Sequence, residues 1–138
     1  MFPITRRYCE NLELVIEAVV RLKKELQRKD SSFSNGGNAD EIIELLARAN
    51  QTKELLESKA ASLFMTGAGN SDIVGKYNAV LDSLTGLLTW AGANLPTNGP
   101  YLLLYSLDVN FKVQPREFEA GALAPLRTQI QNVLATIE

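Results

Sequence analysis

Apolar residues recur at Leu12, Val15, Val19, Leu22 and Leu26, and again at Leu123, Leu126, Ile130, Val133 and Ile137, each time in steps of 3, 4, 3 and 4. Only an α-helix gathers such positions onto one face, so both ends of the chain are committed to amphipathic helices. The first stripe, widened by Ile16 and Val20, predicts a helix over residues 6–29. Its other face carries Glu10, Glu13, Glu17, Arg21, Lys24 and Arg28, with i,i+4 pairs Glu17–Arg21 and Arg21–Glu25. Residues 29–37 then read as a loop rich in Ser, Asn and Gly.

Asn38 followed by Glu41 forms a capping box, which opens a second helix running to about residue 65 along Ile42, Leu45, Leu46, Ala49, Leu56, Ala60, Leu63 and Phe64. Asn50, Gln51, Thr52 and Lys53 weaken its middle. Two helices of this length joined by a short polar loop predict an antiparallel helical hairpin about 35 Å long. After the break at Thr66-Gly-Ala-Gly-Asn70, a third helix is expected over residues 72–91, capped by Asn70 or Ser71. Its apolar face, from Ile73 to Trp90, is wide enough to require neighbours on more than one side.

The period then changes. Residues 101–107 and 111–118 read as the two strands of a β-hairpin about Asp108-Val-Asn110, with Pro115 restricting the second strand to an edge or an early end. The C-terminal helix follows, with Pro125 tolerable only near its first turn. The fold class is therefore mainly α: a long antiparallel helical hairpin, a third helix, a β-hairpin and a C-terminal helix. With 138 residues, one domain spanning the chain is expected.

Composition narrows the chemistry. The chain contains no His and a single Cys, Cys9, which removes His-dependent triads, His-based zinc sites, an intrachain disulfide and a CxxC pair. A net charge of −2 argues against a nucleic-acid partner. Acidic and basic residues within 12–26 rule that segment out as a signal sequence or membrane span, so neither a membrane nor an oxidising compartment is expected.

The remaining motifs have ordinary explanations. Gly67-Ala-Gly69-Asn70-Ser71 precedes a helix but follows another helix and lacks the phosphate-loop spacing. Asp108-Val-Asn110 lacks the rest of a calcium loop and reads as a turn. The carboxylates Asp40, Glu41, Glu44, Glu54 and Glu57 alternate with Arg48, Lys53 and Lys59, as on a solvated helix face. No catalytic, cofactor-binding or metal-binding residue is assigned, and no small-molecule substrate is expected.

Two patterns point instead to association. Residues 1–66 hold 10 basic and 10 acidic side chains, whereas residues 67–138 hold 4 and 6. The first half reads as a charge-rich helical hairpin, and the second as a charge-poor helix, β-hairpin and helix suited to being covered. Trp90, Tyr101, Tyr105, Phe111 and Phe118 also cluster around the hairpin. They serve either as a core contact between hairpin and third helix or as an inter-subunit anchor. The candidate interface comprises these five aromatics with Leu103, Leu123, Leu126, Ile130 and Val133.

The stretch from Asn94 to Asn110, with Pro115-Arg-Glu-Phe118 and the run from Leu123 to Ile137, resembles small virion-associated proteins of tailed bacteriophages. The likeness covers the C-terminal third and transfers no functional residue. It implies a non-enzymatic part of a capsid, head–tail joint or tail, made in the host cytoplasm, homo-oligomeric and in contact with other structural chains. The alternative is a cytoplasmic helical adaptor or regulator, with a groove beside the first two helices that holds one partner helix.

Overall fold

A computed structural model describes residues 6–64, 71–95, 105–107, 110 and 112–137. Four helices dominate: α1 (Arg6–Phe33), α2 (Ala39–Phe64), α3 (Ser71–Asn94) and α4 (Ala120–Ile137). Between them lie four short strands: β1 (Gly37–Asn38), β2 (Tyr105–Leu107), β3 (Val113–Pro115) and β4 (Glu117–Phe118). The protein is mainly α with a β-hairpin, as the periodicity predicts. Each helix packs on two others, α1 on α2 and α4, and α3 on α2 and α4, which closes a four-helix bundle.

One repeat explains why the bundle closes. Buried apolar positions include Val15, Val19, Leu22, Leu26 and Phe33 on α1; Ile42, Leu45, Ala49 and Leu56 on α2; Tyr77, Val80, Leu84 and Leu87 on α3; and Leu123, Leu126, Ile130, Val133 and Ile137 on α4. They form one contiguous cluster. Steps of 3 and 4 recur in all four helices, and this near-3.5 period keeps each seam facing its neighbours along the helix length.

Polar residues that fall on a seam are accommodated locally. Thr52 takes the α2 position between Ala49 and Leu56, where its hydroxyl donates to the Arg48 carbonyl at 3.1 Å. Lys29 takes the α1 position between Leu26 and Phe33; it is buried, with Nζ 3.9 Å from Glu44 Oε2. Its alkyl stem continues the apolar stripe while the ammonium reaches the rim. Helix α1 therefore runs through Ser31 and Ser32 to Phe33, past the end expected at residue 29. Three successive i→i+3 bonds, from the Ser34, Asn35 and Gly36 amides, tighten its exit.

One half of the predicted capping box forms, with Asn38 as N-cap: the Glu41 amide donates to Asn38 Oδ1 at 3.0 Å. The predicted hairpin also forms, with Tyr105 opposite Pro115, Ser106 opposite Gln114 and Leu107 opposite Val113. Its second strand ends at Pro115, the early end that proline imposes. Beyond Arg116 the chain pairs elsewhere, with β4 antiparallel to β1: Gly37 faces Phe118 and Asn38 faces Glu117. The Ala39 amide extends this clasp by donating to the Arg116 carbonyl at 2.9 Å. Pro125 sits at the sixth residue of α4, a turn deeper than expected. The bond it forfeits belongs to the Gly121 carbonyl, and both residues lie on the exposed face, where water can replace it.

Two expectations are corrected. Leu123, Leu126, Ile130 and Val133, read as interface residues, are fully buried inside their own chain, because α1 and α3 cover the stripe that another copy was expected to cover. Ile16 and Val20, read as widening the α1 core face, are instead exposed at 44% and 45%.

Two substitutions test this packing. Ile130→Ala should cost about 2–5 kcal/mol in denaturant unfolding, independent of protein concentration. At Gly36, φ is +97° and a Cβ would lie 2.6 Å from the Phe118 carbonyl oxygen. Gly36→Ala should therefore lower stability by about 1–3 kcal/mol in the same measurement, through strain and loss of the clasp.

Candidate functional site

The predicted site residues separate into three groups. Four α4 residues belong to the core, as above. Tyr101, Leu103 and Phe111 lie outside the described residues, and Tyr105 is described only as a β2 backbone position. Trp90 and Phe118 remain: both are half-buried and pack against the core cluster. Trp90 lies in the last turns of α3 and Phe118 in β4, so chain continuity places them at the end of the bundle that carries both sheets. The Arg116 guanidinium stands 5.9 Å from the centre of the Phe118 ring, a cation–π distance. These two aromatics thus border the four-helix core and keep a part-exposed surface.

At the same end, the β2–β3 ribbon is a sheet of its own, separate from β1–β4. Among the described residues no third strand joins it. Nearby, Asp30 at the end of α1 is tied to α4: Arg127 Nε donates to Asp30 Oδ1 at 3.0 Å and Gln131 Nε2 at 3.3 Å. This half-buried pair, with Lys29 behind it, could not be read from the sequence, since the partners are 97 residues apart. It fixes α4 against α1 just below the clasp.

The carboxylates examined for acid–base chemistry lie on open helix surface with ordinary partners. Glu44 is near Arg28 and Lys29, Glu54 accepts from Asn50 Nδ2 at 3.1 Å, and Glu57 pairs with Lys53. Arg28 in turn donates to Glu25, and that hydrogen bond and charge hold the guanidinium above its usual value. The Gly67–Gly69 loop, Asp108 and Val109 lie outside the described residues. Among those described, no group of three or more His, Cys, Asp or Glu side chains could hold a metal ion. No helix of the described residues is long and apolar enough to cross a membrane.

Surface grooves among the described residues include two on α1. One, of about 170 Å³, lies between α1 and α2, where Ala18, Leu22, Thr52 and Leu55 are flanked by Arg21 and Arg48. It has room for a side chain or two. The second follows the outer face of α1, with Ile16 and Val20 as its floor and Glu13, Glu17, Arg21 and Lys24 around them. The sequence contains its signal: Ile16 and Val20 depart from the 3–4 stripe of α1, although they read as widening its core face.

No protein-family model matches the chain, and neither a curated protein nor a solved structure matches it. The class of molecule that its own geometry defines is a four-helix bundle with a two-stranded clasp and a separate β-ribbon at one end.

Burial pushes the Tyr77 phenol above its ordinary value, and among the described residues its hydroxyl has no protein hydrogen-bond partner. The native state therefore holds this proton where the unfolded chain has released it. Stability is unaffected below about pH 10 and falls as pH rises from there towards the raised native value. Tyr77→Phe should leave urea stability at neutral pH within about 0.5 kcal/mol of the parent and reduce its alkaline loss, measured by urea melts at about pH 9 and pH 11.

Proposed function

We propose that this chain is a non-enzymatic structural subunit of a multi-copy assembly, a component of a tailed-phage virion such as its capsid, head–tail joint or tail. The observation that carries this reading is the β2–β3 ribbon, a two-stranded sheet that no other described strand joins, carried at the same end of the bundle as the half-buried Trp90 and Phe118. A two-stranded ribbon is marginal alone in water, and open strand edges are templates for pairing with another chain. A further strand from a second copy or a neighbouring structural chain would extend the ribbon, and the aromatics at that end would supply the buried anchor of the contact.

The bundle's role in this reading is to be a rigid block. Its apolar stripes are already used internally, so the subunit folds first and assembles through one end and its outer faces. The α4 stripe, buried in its own chain, takes no part in that contact. The alternative, an adaptor holding a partner helix, draws on the α1–α2 groove, whose 170 Å³ suits one inserted side chain better than a helix.

Light scattering over a concentration series tests the proposal. The mass should rise above 15.2 kDa with concentration. Ser106→Lys, which places a charge on the ribbon edge, should return it towards the monomer without changing the melting temperature. A parent protein that stays at 15.2 kDa up to its solubility limit would overturn the assembly role.

A further inference from the structure

The outer face of α1 carries a pattern that neither the bundle nor the ribbon uses. Glu13, Ile16, Val20 and Lys24 are spaced by 3, 4 and 4 residues, so they form one continuous strip along the helix, and all four are exposed. The strip is acidic at its N-terminal end, apolar in the middle and basic at its C-terminal end. Glu17 and Arg21 flank it and are already paired with each other at 2.8 Å. Among the described residues, Glu13 and Lys24 have no ion-pair partner.

We infer that this strip is a two-fold contact between copies of the chain, in which α1 of one copy lies antiparallel on α1 of the other. The charge order selects the occupant. A two-fold axis beside residue 18 sets Ile16 of each copy against Val20 of the other and brings each Glu13 towards the other copy's Lys24. Each unpaired charge then meets its opposite twice, as a self-complementary isologous contact requires. A parallel pairing would set Glu13 on Glu13 and Lys24 on Lys24. A lipid surface fits poorly, since the rim is mixed in sign and the apolar floor is two side chains wide. From Glu13 to Lys24 the strip spans about 16 Å, so the contact is smaller than a standard interface and belongs to a weak, reversible pairing.

The inference deepens the assembly reading and rests on it only in taking a second copy as the partner; the contact itself is separate from the ribbon end. Sedimentation equilibrium at low ionic strength tests it with exposed charge reversals that leave the core untouched. Glu13→Lys alone and Lys24→Glu alone should each weaken association by about tenfold, since symmetry doubles every like-charge contact. The combined variant Glu13→Lys, Lys24→Glu should restore it to the parent value.

If the single reversals have no effect while Ser106→Lys dissociates the protein, the α1 contact is wrong and the ribbon-end reading stands. If the singles weaken association and the combination fails to restore it, the face binds something other than its own antiparallel copy, and the inference falls. A parent that never associates overturns both readings.

Discussion

At Gly36 and Gly37 the chain passes closer to its neighbours than any side chain would allow. A Cβ on Gly36 would collide with the Phe118 carbonyl, and one on Gly37 would stand 2.8 Å from the buried Phe33 ring. This close passage lets β4 lie against β1, and because β4 leads directly into α4, it sets where α4 begins. With that start fixed, the Arg127–Asp30 pair and the α4 stripe fall into place along α1, and the four seams close on one core. Two residues without side chains thus allow the clasp that leads the chain into the last helix.

A closed core changes which surfaces remain for function. An isolated α4 stripe would need another chain, whereas here it is consumed internally and its large residues are inaccessible. What stays outside is of a different kind: a two-stranded ribbon at the end of the bundle that also carries two half-buried aromatics, and a short apolar strip with opposite charges at its ends. The first contact would be directional and extendable; the second would be self-complementary and closed. A subunit with one of each could form linked pairs, a geometry suited to the proposed place in a symmetric particle.

Where the sequence was informative, a repeating physical pattern spoke for the fold. Steps of 3 and 4 located all four helices, and Asn38 with Glu41 located the start of α2 to the residue. Pro115 marked the end of its strand. The stripe on α4 was equally visible, but an apolar period reveals that a face is covered and says nothing of what covers it. The end of α1 is hidden because the Ser-, Asn- and Gly-rich composition of residues 29–37 reads as a loop, while the buried Lys29 and Phe33 carry the seam one turn further. The clasp was invisible for another reason: strands of two residues have no period, and Gly36-Gly37 looks the same in any loop. Ile16 and Val20 sit beside the stripe in sequence, but the period does not say how wide the covered face is, and each lies one residue past a buried position, Val15 and Val19, on the outward side.

The central claim is that one chain closes its own core before it meets another, and unfolding as a function of protein concentration tests it most directly. In dilute solution, where the species has a mass of 15.2 kDa, the account predicts a single cooperative denaturant transition whose midpoint is unchanged by further dilution. A midpoint that falls steadily with dilution, or the absence of any folded 15.2 kDa species, would mean that the core is shared between chains and would contradict it.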